Sequence, residues 1–462
     1  MKETKYYFHN NYEGLIIELE TLNESFPTLI DIFSLNAKYN HSLTKGGKEI
    51  WCIRITNENT DLNKPEVLFI GGHHGNELVG VENAFWYAYW LLHSYGKDEH
   101  CSFLVDNREI YIIPCANPDG RYATPSPTRT NENGADLNRD YDYAPETIRN
   151  GSFSEIETRC IRDLSEDHQF IIAIDWHTNF YGIYCPWGIY FREAQPCPDN
   201  KAYMEVAGLM SANAGSFGEG SYPIYNAGPL NGSWRDWAYA SRTEFGGYFT
   251  DDPNGYDAGG QLSFIVEASY YDANLQKNEN ELGTSLRDGW VSKNIRLALV
   301  ATDLAMPYIK ITSNPPENVE KGKKLNFAWQ IYGCLTIDET TLEWSRSTDP
   351  DSFAPISGAT LAGKSSWFGK DYSMNSPRLV SLGKTYFRVR AKVDAFTNIS
   401  SGNGINSNIY SRFAKIRNWS HWSENVSSDG NEQLLEGNLY WTSDIIEINV
   451  VDGSSYSVSS HF

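Results

Sequence analysis

The chain has 462 residues, of which 40% are hydrophobic and 21% charged, a composition typical of a globular protein with two or three domains. Acidic residues outnumber basic ones by 59 to 38, and the net charge of -21 argues against nucleic acid or an anionic membrane surface as a partner. No apolar run of about 18 residues occurs, so no membrane span is predicted. The first residues lack the apolar core of a signal peptide, and the seven cysteines show no zinc-finger spacing.

Hydrophobic periodicity up to about residue 305 predicts strands that alternate with helices. The predicted helices cover about 11–25, 78–95, 154–167, 200–214 and 279–305. The predicted strands cover about 29–33, 51–55, 66–70, 109–114, 170–175 and 263–267. This alternation indicates an α/β domain with a mixed, largely parallel sheet flanked by helices. Ligands of such sheets bind beyond the carboxyl ends of the strands.

The pattern changes after Met306, where helical periodicity gives way to alternating β-rich runs. The predicted strands of this part cover about 325–331, 341–345, 385–393 and 440–451. We expect an all-β sandwich here, and residues 384–391 and 440–446 resemble the last two strands of a fibronectin type III domain. A polar insertion of about 396–437 would separate them. The expected domains are therefore residues 1–306 and 307–462.

The segment Gly71–Glu77 follows an apolar strand and places His74 and Glu77 three residues apart. Imidazole and carboxylate both suit zinc, and a catalytic zinc site needs three protein ligands, which leaves one position for water. Neighbouring residues of a strand point to opposite faces, so we do not expect His73 to share an ion with His74. The alternative is a polar turn that caps the following helix.

Two further predicted strands end in residues that could complete such a site. His177 ends one strand, and Glu267 closes the apolar run 264–268. A carboxylate at that position is costly unless it is paired or lies in a cleft. Polar loops rich in Asn, Asp, Gly and Arg cover residues 117–120 and 129–139, and by themselves they are typical of solvated loops.

These motifs occur in an order that resembles the zinc metallocarboxypeptidase family of the carboxypeptidase A and carboxypeptidase T type. The resemblance covers roughly residues 7–305, and the run 184–188 is similar to the carboxypeptidase T branch. It implies one zinc ion per chain, held by His74, Glu77 and His177. It also implies that Asp136 orients a ligand histidine and that Glu267 is the general base.

The resemblance further assigns residues that contact substrate. Arg129 matches the cation that stabilises the oxyanion, with Arg121 as a rival that fits the spacing less well. Asn138 and Arg139 match the pair that binds the terminal carboxylate of the peptide, a task suited to the planar guanidinium.

Two assignments within this resemblance have an alternative. The mobile tyrosine of the family matches Tyr225, with Tyr222 as the alternative, because an insertion lengthens the segment before Gly232. The specificity position matches Arg235, which suggests a preference for acidic terminal residues. The alternative is a surface arginine displaced by the insertion.

The resemblance therefore implies a zinc-dependent enzyme that removes C-terminal amino acids from peptides, with the β domain as an accessory that binds a surface or polymer. An extracellular location fits this type of peptidase. The rival functions are an amidase acting on peptidoglycan stem peptides or N-acyl amino acids, and an inactive binding protein of the same fold.

Overall fold

The computed structural model of the protein describes most of the chain. The described residues are 5–60, 64–141, 153–168, 170–186, 197, 200–215, 222–226, 233–239, 261–269, 282–283, 289–305, 308–332, 337–363, 370–393, 422–425 and 438–452. They form two compact units, residues 5–305 and residues 308–452, and each unit is described by itself. Within the described residues, no helix combines the length and the apolar character that crossing a bilayer requires.

The first unit consists of helices around one sheet. Its helices are α1 (Tyr12–Ser25), α2 (Leu35–Lys38), α3 (Leu78–Ser94), α4 (Glu99–Asn107), α5 (Pro118–Arg121), α6 (Ile156–Asp167), α7 (Asn200–Ala214), α8 (Trp234–Tyr239) and α9 (Trp290–Asp303). A short 3-10 helix covers Leu137–Arg139. Its strands are β1 (Ile30–Ser34), β2 (Trp51–Ile55), β3 (Glu66–Gly71), β4 (Glu109–Ile113), β5 (Phe170–His177), β6 (Tyr181–Cys185), β7 (Ile224–Asn226) and β8 (Leu262–Ala268).

The eight strands form one sheet in the order β1-β2-β4-β3-β5-β8-β6-β7. The central strands β4, β3, β5 and β8 run parallel to one another, whereas β1, β2 and the β6–β8 pairing are antiparallel. The predicted α/β fold with a mixed, largely parallel sheet is confirmed. The parallel arrangement brings the carboxyl ends of β3, β5 and β8 to the same edge of the sheet.

The central strands are continuous apolar runs because helices cover both of their faces. Every residue of β3, β4 and β5 is buried. Helix α3 lies against β3 and β5 and buries nearly all of its residues, which is why its amphipathic pattern is weak. Helix α1 is more exposed and buries only the stripe Leu15, Leu19 and Leu22. These contacts hold the carboxyl edge of the sheet in place.

Two glycines allow the backbone conformation and the close packing of the loop after β3. Gly72 has a φ of +73°, a region in which a side chain is unfavourable. A Cβ on Gly75 would collide with the backbone of Gly120 and Arg121. The loop that carries His74 therefore lies directly against helix α5.

Several elements differ from the expectation. The strand predicted at 170–175 continues to His177, and the last helix, expected from about 279, begins at Trp290. Helix α4 was not predicted, although Asp98 caps it by accepting from the backbone N–H of Cys101. The short strands β6 and β7 were also missed, because their apolar content is too small to indicate a strand without the neighbouring β8.

The second unit is all-β. Its strands are β9 (Tyr308–Ile311), β10 (Asn318–Glu320), β11 (Asn326–Tyr332), β12 (Ile337–Ser345), β13 (Ala354–Gly363), β14 (Lys370–Asn375), β15 (Gly383–Val393), β16 (Trp422–Asn425), β17 (Asn438–Thr442) and β18 (Ile446–Val451). They form a seven-stranded and a three-stranded sheet. The rings of Phe327 and Phe387 meet between the two sheets at 4.7 Å, so this unit has a core of its own. The predicted β domain is confirmed.

The strand predicted over 440–451 is divided at Ser443. The Ser443 hydroxyl accepts from the backbone N–H of Val389, and the Ser443 N–H donates to the Val389 carbonyl. This side-chain bond interrupts the ladder, so β17 and β18 pair separately with β15. Of the expected polar insertion 396–437, only residues 422–425 are described, as β16.

Candidate active site

The carboxyl ends of three adjacent strands deliver the predicted metal ligands and base to one place. Gly71, at the end of β3, pairs in register with Trp176 of β5, and His177 of β5 pairs with Glu267 of β8. His74 lies in the loop after β3, and Glu77 immediately precedes helix α3. The parallel topology thus brings together residues that are far apart in the sequence.

His74, Glu77 and His177 form a tight buried triad. The Nδ1 atoms of His74 and His177 are 3.0 Å apart. The Glu77 carboxylate lies 2.8 Å from each of them, with Oε1 next to His74 and Oε2 next to His177. All three residues are buried, and their ligand atoms lie within 4.8 Å of one another.

The outer ring nitrogens of both histidines contact carboxylates. His74 Nε2 is 3.0 Å from Asp136 Oδ1, and His177 Nε2 is 2.6 Å from Asp175 Oδ2. A neutral imidazole has one N–H, and these carboxylates favour it on Nε2. Two Nδ1 atoms and a carboxylate then face a common point, an arrangement that a bound cation would stabilise. Two imidazoles and one carboxylate are a donor set that zinc accepts, so the residues fit the expected ion.

Glu77 is oriented by the turn that follows β5. Its Oε2 accepts from the Thr178 backbone N–H at 3.0 Å, and its Oε1 accepts from the Asn179 side-chain amide at 3.0 Å. Asn179 has a φ of +109°, which is rare for a residue other than glycine and is typical of functional sites. Burial opposes ionisation of Glu77, but His74 and His177 hold its pKa far below the usual range. Glu77 is therefore an ionised carboxylate.

Asp175 is a site residue that the sequence analysis missed. It is buried, and its carboxylate contacts a ring nitrogen of His73 and of His177. The sequence does indicate this contact, because residues two apart in a strand share a face and Asp175 precedes His177 by two. As expected, His73 does not join the triad, and its ring contacts Asp175 and Tyr141 instead.

Glu267 lies beside the triad at the end of β8. Its Oε2 accepts weakly from the Phe180 backbone N–H at 3.4 Å. Burial raises the pKa of Glu267 to about 8, and the charge of Glu77 adds to the effect. A carboxyl group with a pKa near neutrality can both take and give a proton under physiological conditions.

Arg129 also lies at the site, and its side chain is 40% exposed. Its Nε donates to Asp136 Oδ2 at 2.9 Å, and its Nη1 lies 3.5 Å from Glu77 Oε1. The rival Arg121 is buried elsewhere, where its Nη2 donates to the backbone carbonyl of His9 and contacts Glu82. Of these two arginines, Arg129 is therefore the one placed to reach a ligand at the triad.

Asn138 and Arg139 follow Asp136 in the 3-10 helix. Asn138 Oδ1 accepts from the Trp234 backbone N–H at 2.9 Å, and its Nδ2 lies 3.2 Å from His177 Nε2. Arg139 Nη1 donates to the carbonyl of Asn138. Burial lowers the pKa of Arg139, and the charge of Asp136 partly opposes this effect. Both residues therefore lie in the immediate surroundings of the triad.

The two candidate tyrosines have different environments. Tyr222 is buried, and its hydroxyl donates to the Ala268 carbonyl and accepts from Asn294. Tyr225 is 41% exposed and stacks on Tyr184 with ring centroids 4.8 Å apart. Tyr222 is thus held in the interior, whereas Tyr225 lies at the surface.

Arg235 is fully buried, so the alternative of a surface arginine is wrong. Its Nε and Nη2 donate to the Asp236 carboxylate at 3.1 and 3.4 Å. Among the described residues, no atom accepts a hydrogen bond from its Nη1. Burial raises the pKa of Cys185 and lowers that of Arg139, and the charge of Arg235 opposes the first shift and adds to the second, which indicates that it lies near both.

The sequence was compared with known proteins and families. A profile of the zinc carboxypeptidase family matches residues 18–276, more than half of the chain. Carboxypeptidase D of Drosophila melanogaster is 24% identical over 44% of this chain and 16% of that protein. Carboxypeptidase SOL1 of Arabidopsis thaliana is 27% identical over 46% of this chain and 44% of that protein. The chain thus spans less than half the length of these relatives.

Among solved structures, the carboxypeptidase A from Helicoverpa armigera is similar with a TM-score of 0.49 and 20% identity, over 64% of this chain and 74% of that one. The profile match includes the triad, both carboxylates behind it and Glu267. The chain therefore belongs to the zinc carboxypeptidase family.

Proposed function

We propose that this protein is a zinc-dependent carboxypeptidase that hydrolyses C-terminal amino acids from peptides. The observation that carries the proposal is the convergence of His74, Glu77 and His177 next to the raised-pKa carboxyl of Glu267. A peptidase needs a Lewis acid, an activated water and a positive group where charge develops. Membership of the zinc carboxypeptidase family supports the same conclusion.

In this proposal, His74, Glu77 and His177 would hold the zinc ion, which would supply a Lewis acid for the scissile carbonyl and an activated water. Glu267 would act as the general base towards the attacking water and as the proton donor to the leaving amine. Arg129 stabilises the negative charge that develops on the carbonyl oxygen, and its exposed position next to Glu77 suits this role. Asn138 and Arg139 bind the terminal carboxylate, which makes the enzyme an exopeptidase.

The proposal extends to a preference for C-terminal Glu or Asp. Burial lowers the pKa of Arg139, and the charges of Arg129 and Arg235 add to the effect, which supports an Arg235 guanidinium near that of Arg139. A terminal acidic residue offers two carboxylates, one for each guanidinium. Nη1 of Arg235 is buried and has no acceptor among the residues that the structure describes, which supports a second acceptor in addition to Asp236.

We further propose that residues 1–306 are the catalytic domain and that residues 307–462 are a fibronectin type III-like accessory domain. The accessory domain would bind a surface or polymer and present substrate to the catalytic domain. This arrangement suits an extracellular enzyme. The β-sheets of the second unit support the domain type, and its ligand is inferred only from fold analogy.

The function is tested by measuring zinc content and the release of C-terminal amino acids for the wild type and Glu267→Gln. The wild type should bind one zinc ion per chain and release terminal residues. The variant should keep its zinc and lose about 10²–10⁴-fold in kcat, because general-base catalysis contributes that much. A chelator should abolish turnover, and added zinc should restore it.

Glu109→Gln is a matched control, since Glu109 is a buried glutamate at the opposite end of the same sheet. This variant should keep full turnover. Zinc binding without any amino acid release would favour the binding protein, and release from N-acyl amino acids alone would favour the amidase. Either result would contradict the proposed function.

A further inference from the structure

A buried chain of hydrogen bonds extends from the candidate metal site into the protein interior. Asp175 Oδ2 is 2.6 Å from His177 Nε2, and Asp175 Oδ1 is 2.8 Å from His73 Nδ1. The Nε2 atom of His73 is in turn 2.7 Å from the Tyr141 hydroxyl. All four residues are buried. We propose that His73, Asp175 and Tyr141 are positioning residues that hold His177 in its metal-binding orientation and determine how tightly the ion is retained.

The proton positions along the chain follow from the role of His177. To bind a metal through Nδ1, His177 must carry its proton on Nε2, which then donates to Asp175. His73 donates its Nδ1 proton to the other oxygen of the same carboxylate. The free Nε2 of His73 then accepts from the Tyr141 hydroxyl. Each link then contains one proton.

The packing around this network restricts the orientation of His177. The rings of His73 and His177 are nearly parallel, with 8° between their planes and 6.1 Å between their centroids, so they flank the Asp175 carboxylate. Tyr141 packs against Phe153 and Trp237, which fixes its hydroxyl. His177 therefore cannot rotate without breaking bonds that are anchored in the core.

The arrangement gives each ligand histidine its own carboxylate. Asp136 supports His74 but is partly exposed and shared with Arg129, whereas Asp175 is sealed in the interior. Carboxylates behind metal-binding histidines fix the ring and raise its basicity, and their loss typically costs about 10–100-fold in metal affinity. Removing His73 leaves one oxygen of a buried carboxylate without a donor, which should loosen Asp175 and, through it, His177.

His73, Asp175 and His177 are also close enough to form a metal site of their own. We favour the hydrogen-bonded network, because Asp175 accepts from both rings and the Tyr141 hydroxyl satisfies the outer nitrogen of His73. A second ion would have to displace these bonds, and it would compete with the triad for His177. Metal stoichiometry distinguishes the two arrangements.

The inference rests on the proposed function, since the ion concerned is the zinc proposed at the triad. The test uses the full zinc-loaded chain and measures zinc transfer to a colorimetric chelator, together with the visible spectrum of the cobalt-substituted protein. His73→Leu should weaken zinc affinity about 10–100-fold and alter the cobalt spectrum. His73→Asn keeps an amide donor near the position of Nδ1 and should recover much of the affinity.

Two further variants separate an effect of the network on zinc binding from a general loss of stability. Tyr141→Phe removes one oxygen atom and should weaken zinc retention in the same direction even if His73→Leu does not fold. His9→Leu is the matched control, because His9 Nδ1 lies 2.6 Å from the buried Glu82 and neither residue contacts the triad. It should reduce stability but leave zinc transfer unchanged.

Three results would overturn the inference. If His73→Leu and Tyr141→Phe release zinc at the wild-type rate, the network does not position His177. If the wild type binds two zinc ions and His73→Leu binds one, His73 is itself a ligand. If the wild type binds no zinc, the proposed function fails, and the inference fails with it.

Discussion

The Nδ1 atoms of His74 and His177 face each other at 3.0 Å, although 103 residues separate them in the chain. Each ring is turned to this position by a carboxylate behind it, Asp136 for His74 and Asp175 for His177. Glu77 completes the triad and is itself held by the Thr178 backbone and the Asn179 side chain. The ligand geometry is thus determined mainly by hydrogen bonds to residues outside the triad, which is the basis of preorganised metal binding.

The proposed acidic preference depends on Arg235. We expect the wild type to cleave peptides ending in Glu at least about tenfold better than those ending in Phe or Lys, since a charge-assisted hydrogen bond contributes about 1.5–3 kcal/mol. Arg235→Met keeps the length of the side chain and should remove this preference. The measurement is kcat/KM for three peptides that differ only in the last residue. Equal or better cleavage of the Phe peptide by the wild type would contradict the proposal.

Arg129 and Arg121 form a matched pair with opposite expected effects. Arg129→Gln should lower kcat about 10²–10³-fold, the usual effect of losing an oxyanion-stabilising group, and leave the free energy of unfolding nearly unchanged. Arg121→Gln should lower the free energy of unfolding by about 1–3 kcal/mol, because Arg121 is buried and bonded to His9 and Glu82, but keep kcat. Steady-state kinetics and denaturant unfolding of both variants check this. The reverse pattern would identify Arg121 as the functional arginine.

The two tyrosines are distinguished in the same way. Tyr222→Phe removes a hydroxyl that bonds Ala268 and Asn294 in the interior, so it should cost about 1–3 kcal/mol of stability without changing KM. Tyr225→Phe should change the free energy of unfolding by less than about 0.5 kcal/mol, as is usual at the surface, and reduce kcat/KM several-fold. Thermal unfolding and peptide-release kinetics measure both effects. A kinetic defect confined to Tyr222→Phe would assign the mobile tyrosine to that position.

Glu157 gives a prediction for the pH dependence of stability. Burial raises the pKa of its carboxyl group from 4.5 to about 7, although Asn131 donates a hydrogen bond to it. Between these values the folded protein holds a proton that the unfolded chain releases, so stability decreases as the pH rises through this range. Glu157→Gln is always neutral and keeps an acceptor oxygen for Asn131.

The variant should therefore be more stable than the wild type by about 3.5 kcal/mol at pH 8, because the pKa rises from 4.5 to about 7 and each pKa unit corresponds to about 1.4 kcal/mol. Below pH 4 the difference should vanish, since the wild-type carboxyl group is then protonated in both states. Denaturant unfolding at the two pH values measures it. A difference that does not depend on pH would show that folding does not raise the pKa of Glu157.

The agreement between sequence and structure is best where local patterns are strong. Helix α1 and strand β2 lie within one residue of their predicted bounds, because a regular apolar stripe and a β-rich run each indicate one conformation. Strands β6 and β7 were missed because such short strands become stable only through pairing with their neighbours. The division of the predicted strand 440–451 depends on a side-chain bond from Ser443 to a distant strand.

The sequence by itself determined the α/β order of the first unit and the β character of the second, which are local properties because they depend on hydrophobic periodicity. The residues proposed as the triad and its base were predicted from an order of motifs that resembles the zinc carboxypeptidase family. Only the tertiary structure decided that Asp175 supports His177, that Arg121 and Tyr222 are interior residues and that Arg235 is buried. The physical reason is that burial and hydrogen-bond partners come from segments far apart in the chain, and no local pattern specifies which segments meet.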